Sequence, residues 1–265
     1  MNFETLGVVV TFNPNILELE KNIKQIVTQI GKLIVYDNCS SNVDEIFQFC
    51  NKNGIEICKS NMNNGLGFAY NYILQNYSDT YKYFITFDQD TFISNNCISR
   101  LLLPFNEIDN VGITGPVYEI SKVNEEQTYT EVKYLIQSCS VIRIDLFKII
   151  GLFNDKLFID SLDFDFCLRT LLADFKIIRC NNVIINHTIG SYKKILGFKI
   201  TIHNSLRNYY IARNHRFLTI KYFSDFPLFI VKKNILFLIH IFKVVILEND
   251  REKIISLYKG IITKV

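Results

Sequence analysis

Two aspartates one residue apart close the apolar run Tyr83-Phe84-Ile85-Thr86-Phe87, giving Asp88-Gln89-Asp90. Carboxylates so spaced offer hard oxygen ligands to Mg²⁺ or Mn²⁺, and such a cation typically clamps a diphosphate. A second acidic cluster places Asp160, Asp163 and Asp165 among large apolar side chains, in Phe158-Ile159-Asp160-Ser161-Leu162-Asp163-Phe164-Asp165-Phe166. Capping of a helix start explains one or two acids there, but not three. One of the three is a candidate general base, able to take a proton from an acceptor hydroxyl.

Other segments bring binding chemistry. Thr11-Phe12-Asn13 and Asp37-Asn38-Cys39-Ser40-Ser41 follow apolar runs. Asp37 could accept hydrogen bonds from a nucleobase imide or a ribose hydroxyl, although the same residues also suit a turn and a helix cap. Asn63-Asn64-Gly65-Leu66-Gly67-Phe68-Ala69 puts two glycines at a helix start, where backbone amides can approach a phosphate or sugar. His187, after a strand signal, is a candidate third metal ligand or phosphate contact. Arg207, Tyr209, Tyr210, Arg213 and Asn214 crowd one helical stretch, a candidate grip on a diphosphate or a lipid-linked acceptor.

These residues need elements to position them. Over residues 1–117 strand and helix signals alternate: Leu6–Thr11, a helix opened by Asn15, Leu33–Tyr36, a helix from Ser41 or Asn42, Ile55–Cys58, a helix over Leu66–Tyr77, then the strand ending at Asp88. The rhythm predicts an α/β fold with a parallel sheet and right-handed crossovers, whose strand tips meet at one crevice. It breaks after residue 117, where Tyr129–Ile144 predicts antiparallel strands and Leu162–Leu172 a helix; from about Thr201 the chain reads as helical.

Nearly half of the 265 residues are apolar, which excludes a disordered chain. The seven scattered cysteines include no CxxC pair, so buried free thiols in a reducing cytoplasm are expected. The start, Met1-Asn2-Phe3-Glu4, lacks the basic region of a signal peptide. Charge is unevenly placed. Residues 1–189 carry 15 Lys and Arg against 22 Asp and Glu, a net of −7, whereas residues 190–265 carry 14 against 4, a net of +10. The basic quarter suits an anionic partner, membrane lipid or nucleic acid, or else a solvated helical face. The longest uncharged run within residues 226–247 is nine residues, Asn234 to Phe242, too short for the ~20 apolar residues of a spanning helix. The other reading of these helices is packing, internally or as a homodimer.

Taken in order, these motifs resemble the inverting glycosyltransferases of family 2, which have the GT-A (Rossmann-like) fold. Val8-Val9-Val10-Thr11-Phe12-Asn13, Val35-Tyr36-Asp37-Asn38-Cys39-Ser40, Asn63-Asn64-Gly65-Leu66-Gly67 and Asp88-Gln89-Asp90 resemble the nucleotide-sugar half. The Leu157–Arg169 segment resembles the acceptor-side acidic motif. Its form, with His187-Thr188-Ile189-Gly190 and Arg207-Asn208-Tyr209-Tyr210, is similar to the bacterial rhamnosyltransferase branch. The resemblance implies a mostly parallel sheet flanked by helices, with a helical C-terminal appendage. Residues 1–117 would be the nucleotide-sugar-binding half, 118–216 the acceptor-binding and catalytic half, and 217–265 basic hydrophobic helices. It implies transfer of a sugar, best matched by L-rhamnose from dTDP-rhamnose, to a glycan or polyprenyl-linked saccharide, on the inner face of the plasma membrane and without nucleic acid. A UDP-linked donor is the other option. Thr11, Asn13, Asp37, Gly65, Gly67, Phe68, Asp88, Arg207 and Arg213 would bind the donor; Asp88, Asp90 and His187 would hold Mg²⁺ or Mn²⁺; Asp163 would be the base, with Asp160 its rival.

Two other readings compete. Asp88-Gln89-Asp90-Thr91 after an apolar strand also fits a haloacid-dehalogenase-type phosphatase with Asp88 as nucleophile. That motif normally ends the first strand of its domain, and here three strand–helix units precede it. A non-catalytic nucleotide-sugar-binding module would use the same fold but would not need a base.

Overall fold

The structure, a computed structural model, describes residues 2–118, 127–185, 192–195 and 198–265. Four parallel strands come first: β1 (Asn2–Thr11), β2 (Ile30–Asp37), β3 (Glu56–Lys59) and β4 (Tyr83–Asp88). The apolar runs of β1, β2 and β4 are buried, as a sheet covered by helices requires, whereas the edge strand β3 is only half-buried. The connecting helices are α1 (Ile16–Val27), α2 (Val43–Lys52) and α3 (Gly65–Tyr77). Asn15 caps α1 as expected, its side chain accepting from the backbone N–H groups of Leu17 and Glu18. The recurrence of Leu19, Ile23 and Ile26 buries one face of that helix.

Beyond β4 the chain forms α4 (Cys97–Leu102), α5 (Pro104–Glu107), β5 (Val111–Tyr118), β6 (Tyr129–Glu131), β7 (Ser140–Arg143), α6 (Ile144–Ile150), α7 (Leu162–Leu172) and β8 (Lys176–Ile185). The sheet order is β3-β2-β1-β4-β7-β5-β8-β6. Strand β7 runs antiparallel between β4 and β5, and β6 antiparallel beside β8, which is where the alternating rhythm of the sequence had broken. Strand β8 runs unbroken from Lys176 to Ile185.

The remaining elements are the hairpin β9 (Tyr192–Ile195) and β10 (Phe198–Thr201), then α8 (Ser205–Tyr222), α9 (Pro227–Phe242), a π-helical turn (Lys243–Glu248) and α10 (Arg251–Ile262). Two compact units emerge: Met1–Asp155 with Phe166–His187, and Lys156–Asp165 with Thr188–Val265. Helix α8 runs unbroken through 216/217, so the acidic segment and the C-terminal helices share the second unit. Its core gathers Ala212, Val244 and Leu257, with Phe237, Ile241, Ile254 and Ile261 against them. A Cβ at Gly260 would lie 2.2 Å from the Tyr209 carbonyl oxygen, so α10 seats on α8 only with glycine there. Among the described residues no helix is long and apolar enough to cross a membrane.

Candidate functional site

In the first unit, strand register aligns three polar tips. Thr11 pairs with Asp37 across β1 and β2, and Val10 with Asp88 across β1 and β4. Asp37 is fully buried. Its Oδ1 accepts from the Thr11 hydroxyl at 2.9 Å and the Ser40 hydroxyl at 2.5 Å, and its Oδ2 accepts the Ser40 backbone N–H at 2.9 Å. Three of the roughly four acceptor positions of the carboxylate are thus filled from within the protein. The Ser40 hydroxyl in turn accepts from the Asn13 backbone at 2.9 Å, and Asn13 Oδ1 accepts the Ser41 backbone N–H at 2.7 Å. Asp37 therefore fastens the ends of β1 and β2 together.

The glycine segment joins this network. Asn38 donates to Asn63 Oδ1 at 2.8 Å and accepts the Asn64 backbone N–H at 2.9 Å. Gly65, buried at the first position of α3, has φ +81°, a left-handed conformation that a side chain would strain. Gly67 is buried beside it and Phe68 is exposed.

Asp88 and Asp90, at and just past the end of β4, are half-buried. The Asp88 backbone N–H donates to the hydroxyls of Thr91 (3.1 Å) and Ser138 (3.2 Å). Gln89 turns the other way: its Oε1 accepts the Phe12 backbone N–H at 2.9 Å, and its carbonyl accepts from Asn22 Nδ2 of α1 at 3.0 Å. The middle residue thus anchors the tip, while the flanking carboxylates supply the hard oxygen donors a divalent cation prefers. The two carboxylates are of the right chemistry for such an ion, but among the described residues no cluster of three or more His, Cys, Asp or Glu is placed to hold one. His187, expected as a third ligand, lies outside the described residues. Five of the seven cysteines are buried; Cys58 is half-buried and Cys39 exposed, at φ +71°.

In the second unit the three acids of the 157–165 segment meet three environments. Asp160 receives the Arg207 fork, with Nε at 3.1 Å and a terminal nitrogen at 2.9 Å. Asp165 is fully buried and its Oδ1 accepts from Lys221 Nζ and from the Tyr222 hydroxyl, each at 2.7 Å. Asp163 accepts the Phe164 backbone N–H at 2.8 Å. Burial pushes its carboxyl up to about 6, opposed by that N–H and by the Lys233 ammonium, and reinforced by Asp160. A carboxyl there is largely ionised at neutral pH yet basic enough to accept a proton.

The backbone around these acids is unusual. Phe158, Asp160 and Ser161 have φ of 56°, 61° and 67°, sparsely populated for residues with side chains. Helix α8 holds them there. Asn214, fully buried, donates from one amide nitrogen to the carbonyls of Leu157 (2.7 Å), Ile159 (2.8 Å) and Asp160 (2.9 Å). Arg213 donates to the Lys156 carbonyl and lies 4.7 Å over the Tyr210 ring. Tyr210 stacks on Phe158 at 4.7 Å. Arg207 and Arg213, expected to grip a diphosphate, are here engaged by the acidic loop. Lys233 of α9, read in the sequence only as part of a basic hydrophobic helix, places its Nζ 3.4 Å from the Phe164 ring centroid. Asn38 and Ser40 stood in the second polar tip of the sequence and Asn214 in the cluster with Arg207 and Arg213, whereas Ser138 and Lys233 were not singled out.

Comparison with known proteins places this geometry. The family model described as "Glycosyl transferase family 2" matches residues 8–176. A dTDP-rhamnosyl transferase, RfbF of Shigella flexneri, is 28% identical, covering 99% of this chain and 94% of that protein. Among solved structures, the mannosyltransferase PcManGT of Pyrobaculum calidifontis, in complex with GDP-Man and Mn²⁺, superposes with a TM-score of 0.64 at 13% identity, over 84% of this chain. GalNAc-T7 with UDP, GalNAc and Mn²⁺ gives 0.59 at 13% identity, over 87%. The chain spans 64% and 54% of the lengths of those two, and the likeness is one of fold.

Proposed function

The chain belongs to glycosyl transferase family 2, and we propose that it moves L-rhamnose from dTDP-rhamnose to a glycan or polyprenyl-linked saccharide, with inversion, in the assembly of a bacterial surface polysaccharide. The near full-length similarity to a dTDP-rhamnosyl transferase carries the choice of donor. The acceptor oxygen forms its bond to the anomeric carbon as the carbon–oxygen bond to the diphosphate breaks. The electron pair leaves with the diphosphate, and the hydroxyl proton passes to the Asp163 carboxylate. Asp163 is chosen over Asp160 and Asp165 because the latter two are engaged by Arg207, and by Lys221 and Tyr222. Thr11, Asn13, Asp37, Gly65, Gly67 and Phe68 form the donor-side wall. Asp88 and Asp90 would hold Mg²⁺ or Mn²⁺, which supplies charge neutralisation for the departing diphosphate. A phosphatase mechanism is not favoured: Asp88 ends the fourth strand, not the first.

The test is a thermal-shift panel of dTDP-, UDP- and GDP-sugars with and without Mn²⁺. A ligand at 100 times its Kd stabilises by about 2.7 kcal/mol. dTDP-rhamnose with Mn²⁺ should give the largest shift. A larger response to a UDP- or GDP-sugar would overturn the donor assignment.

A second reading concerns the C-terminal helices. Leu228, Val231, Ile235, Leu238, Phe242 and Ile246 recur at spacings of three and four and are all exposed, an apolar stripe along one helical face. Exposed Lys232 adjoins it, in a quarter of the chain with net charge +10. An anionic lipid surface matches both features. Co-sedimentation with anionic vesicles that weakens with added salt is expected. A dimer that forms without lipid and buries the stripe would replace this reading.

A further inference from the structure

Helix α9 carries a group aimed at the acidic segment rather than at solvent. Phe229 and Lys233 are four residues apart and so share one face of the helix. Phe229 is buried and meets the Phe164 ring at 6.1 Å. The Lys233 ammonium lies 3.4 Å from the Phe164 centroid and 5.5 Å from that of Phe229. An ammonium over a ring face is held by the ring quadrupole. The backbone N–H of the same Phe164 donates to Asp163 Oδ1. One residue thus touches both charged groups, its ring the lysine and its backbone N–H the carboxylate. Neighbouring Lys232 is exposed, so the placement of Lys233 is not a general property of basic residues on this helix.

We propose that Lys233 is a positioning residue for Asp163: docked on the Phe164 ring, its ammonium holds the neighbouring carboxylate as the oriented anion that receives the acceptor proton. The inference rests on the reading of Asp163 as base. Lys233 keeps all three of its protons through the reaction; the only proton that moves passes from the acceptor hydroxyl to Asp163. The surrounding charges agree with this division. Asp163 is faced by Asp160, which Arg207 engages, and by Lys233. Lys233 is faced by Asp163 and Lys232, and acts on His215, whose ring nitrogen meets Asn234 Oδ1 at 2.8 Å. Burial lowers Lys233 to about 8 and Asp163 raises it, so the two groups favour each other's charged form.

The experiment follows the Asp163 carboxyl carbon by NMR in full-length protein, alongside the pH dependence of kcat/KM for transfer from dTDP-rhamnose. Removing a nearby opposite charge raises a carboxyl pKa by roughly 1–3 units. In Lys233→Met the Asp163 midpoint and the acid limb of the rate profile should both rise by about one unit or more, and Lys233→Arg should restore them. A merely structural role would lower the melting temperature and leave the midpoint in place, and that result would overturn the proposal. If Lys233→Met does not fold, the Lys233 Cε titration in wild type and in Asp163→Asn decides. A lower midpoint in Asp163→Asn supports the pairing; an unchanged one overturns it. Full turnover by Asp163→Asn would instead remove the base assignment itself. A dead Asp163→Asn with an unmoved Asp163 midpoint in Lys233→Met would remove only the role of Lys233.

Discussion

Asp37 at the tip of β2 and Asp163 at the start of α7 are both carboxylates at the mouth of an element, yet the protein treats them oppositely. Asp37 is closed off from solvent and accepts three hydrogen bonds from Thr11 and Ser40. Asp163 follows three residues with left-handed backbone, and burial raises its carboxyl to about 6. Asp37, the architectural carboxylate, is surrounded by donors from the protein itself. Asp163, proposed as the base, is half-buried and accepts the backbone N–H of Phe164, and its loop needs support from elsewhere. Helix α8 supplies that support through Asn214, Arg213 and Tyr210.

The contrast can be broken most forcefully by Asp163→Asn. Loss of a general base costs on the order of 10²–10⁴-fold in rate, so turnover should fall that far while donor-induced thermal shifts persist. Near-normal turnover would place the base elsewhere. Lys221→Met comes next, because it removes the ammonium from a fully buried carboxylate. Chemical denaturation should show a loss of about 2–3 kcal/mol. An unchanged midpoint would mean that the Asp165 pair contributes nothing to stability. Asp37→Asn should cost about 1–2 kcal/mol in the same measurement through lost hydrogen bonds at Thr11 and Ser40. A variant as stable as wild type would deny Asp37 its architectural part.

The smallest effect is the sharpest, because its sign differs between the two aspartates. Unfolded aspartate titrates near about 3.9, and folded Asp163 at about 6. Between those values the folded state holds the extra proton, so stability falls as pH rises through that window. Asn carries no such cost. Asp163→Asn should therefore be more stable than wild type by about 1–2 kcal/mol at pH 7–8, an amount reduced by solvent screening. The gain should vanish below about pH 4. Melting curves across pH check it, and a destabilised Asp163→Asn at neutral pH would contradict the pressure on this carboxyl.

Much of the architecture was legible in the chain. The cap at Asn15, the periodicity of Leu19, Ile23 and Ile26, and the apolar runs ending at Thr11, Asp37 and Asp88 depend on neighbours a few residues away. Local stereochemistry and burial periodicity act over that range. The family was likewise readable from the ordered motifs, as the family match bears out. The engagement of Arg207 and Arg213 by the acidic loop was not, because their partners lie about fifty residues away in the chain.

Residue order by itself determined the element types, the strand tips on which polar residues sit, and the family. Tertiary structure alone decided what each of Asp160, Asp163 and Asp165 meets, since α8 and α9 bring Arg207 to the first, Lys233 near the second, and Lys221 and Tyr222 to the third. Solvation and Coulomb interactions follow distance in space, and the three acids, within six positions of one another, differ only in what surrounds them.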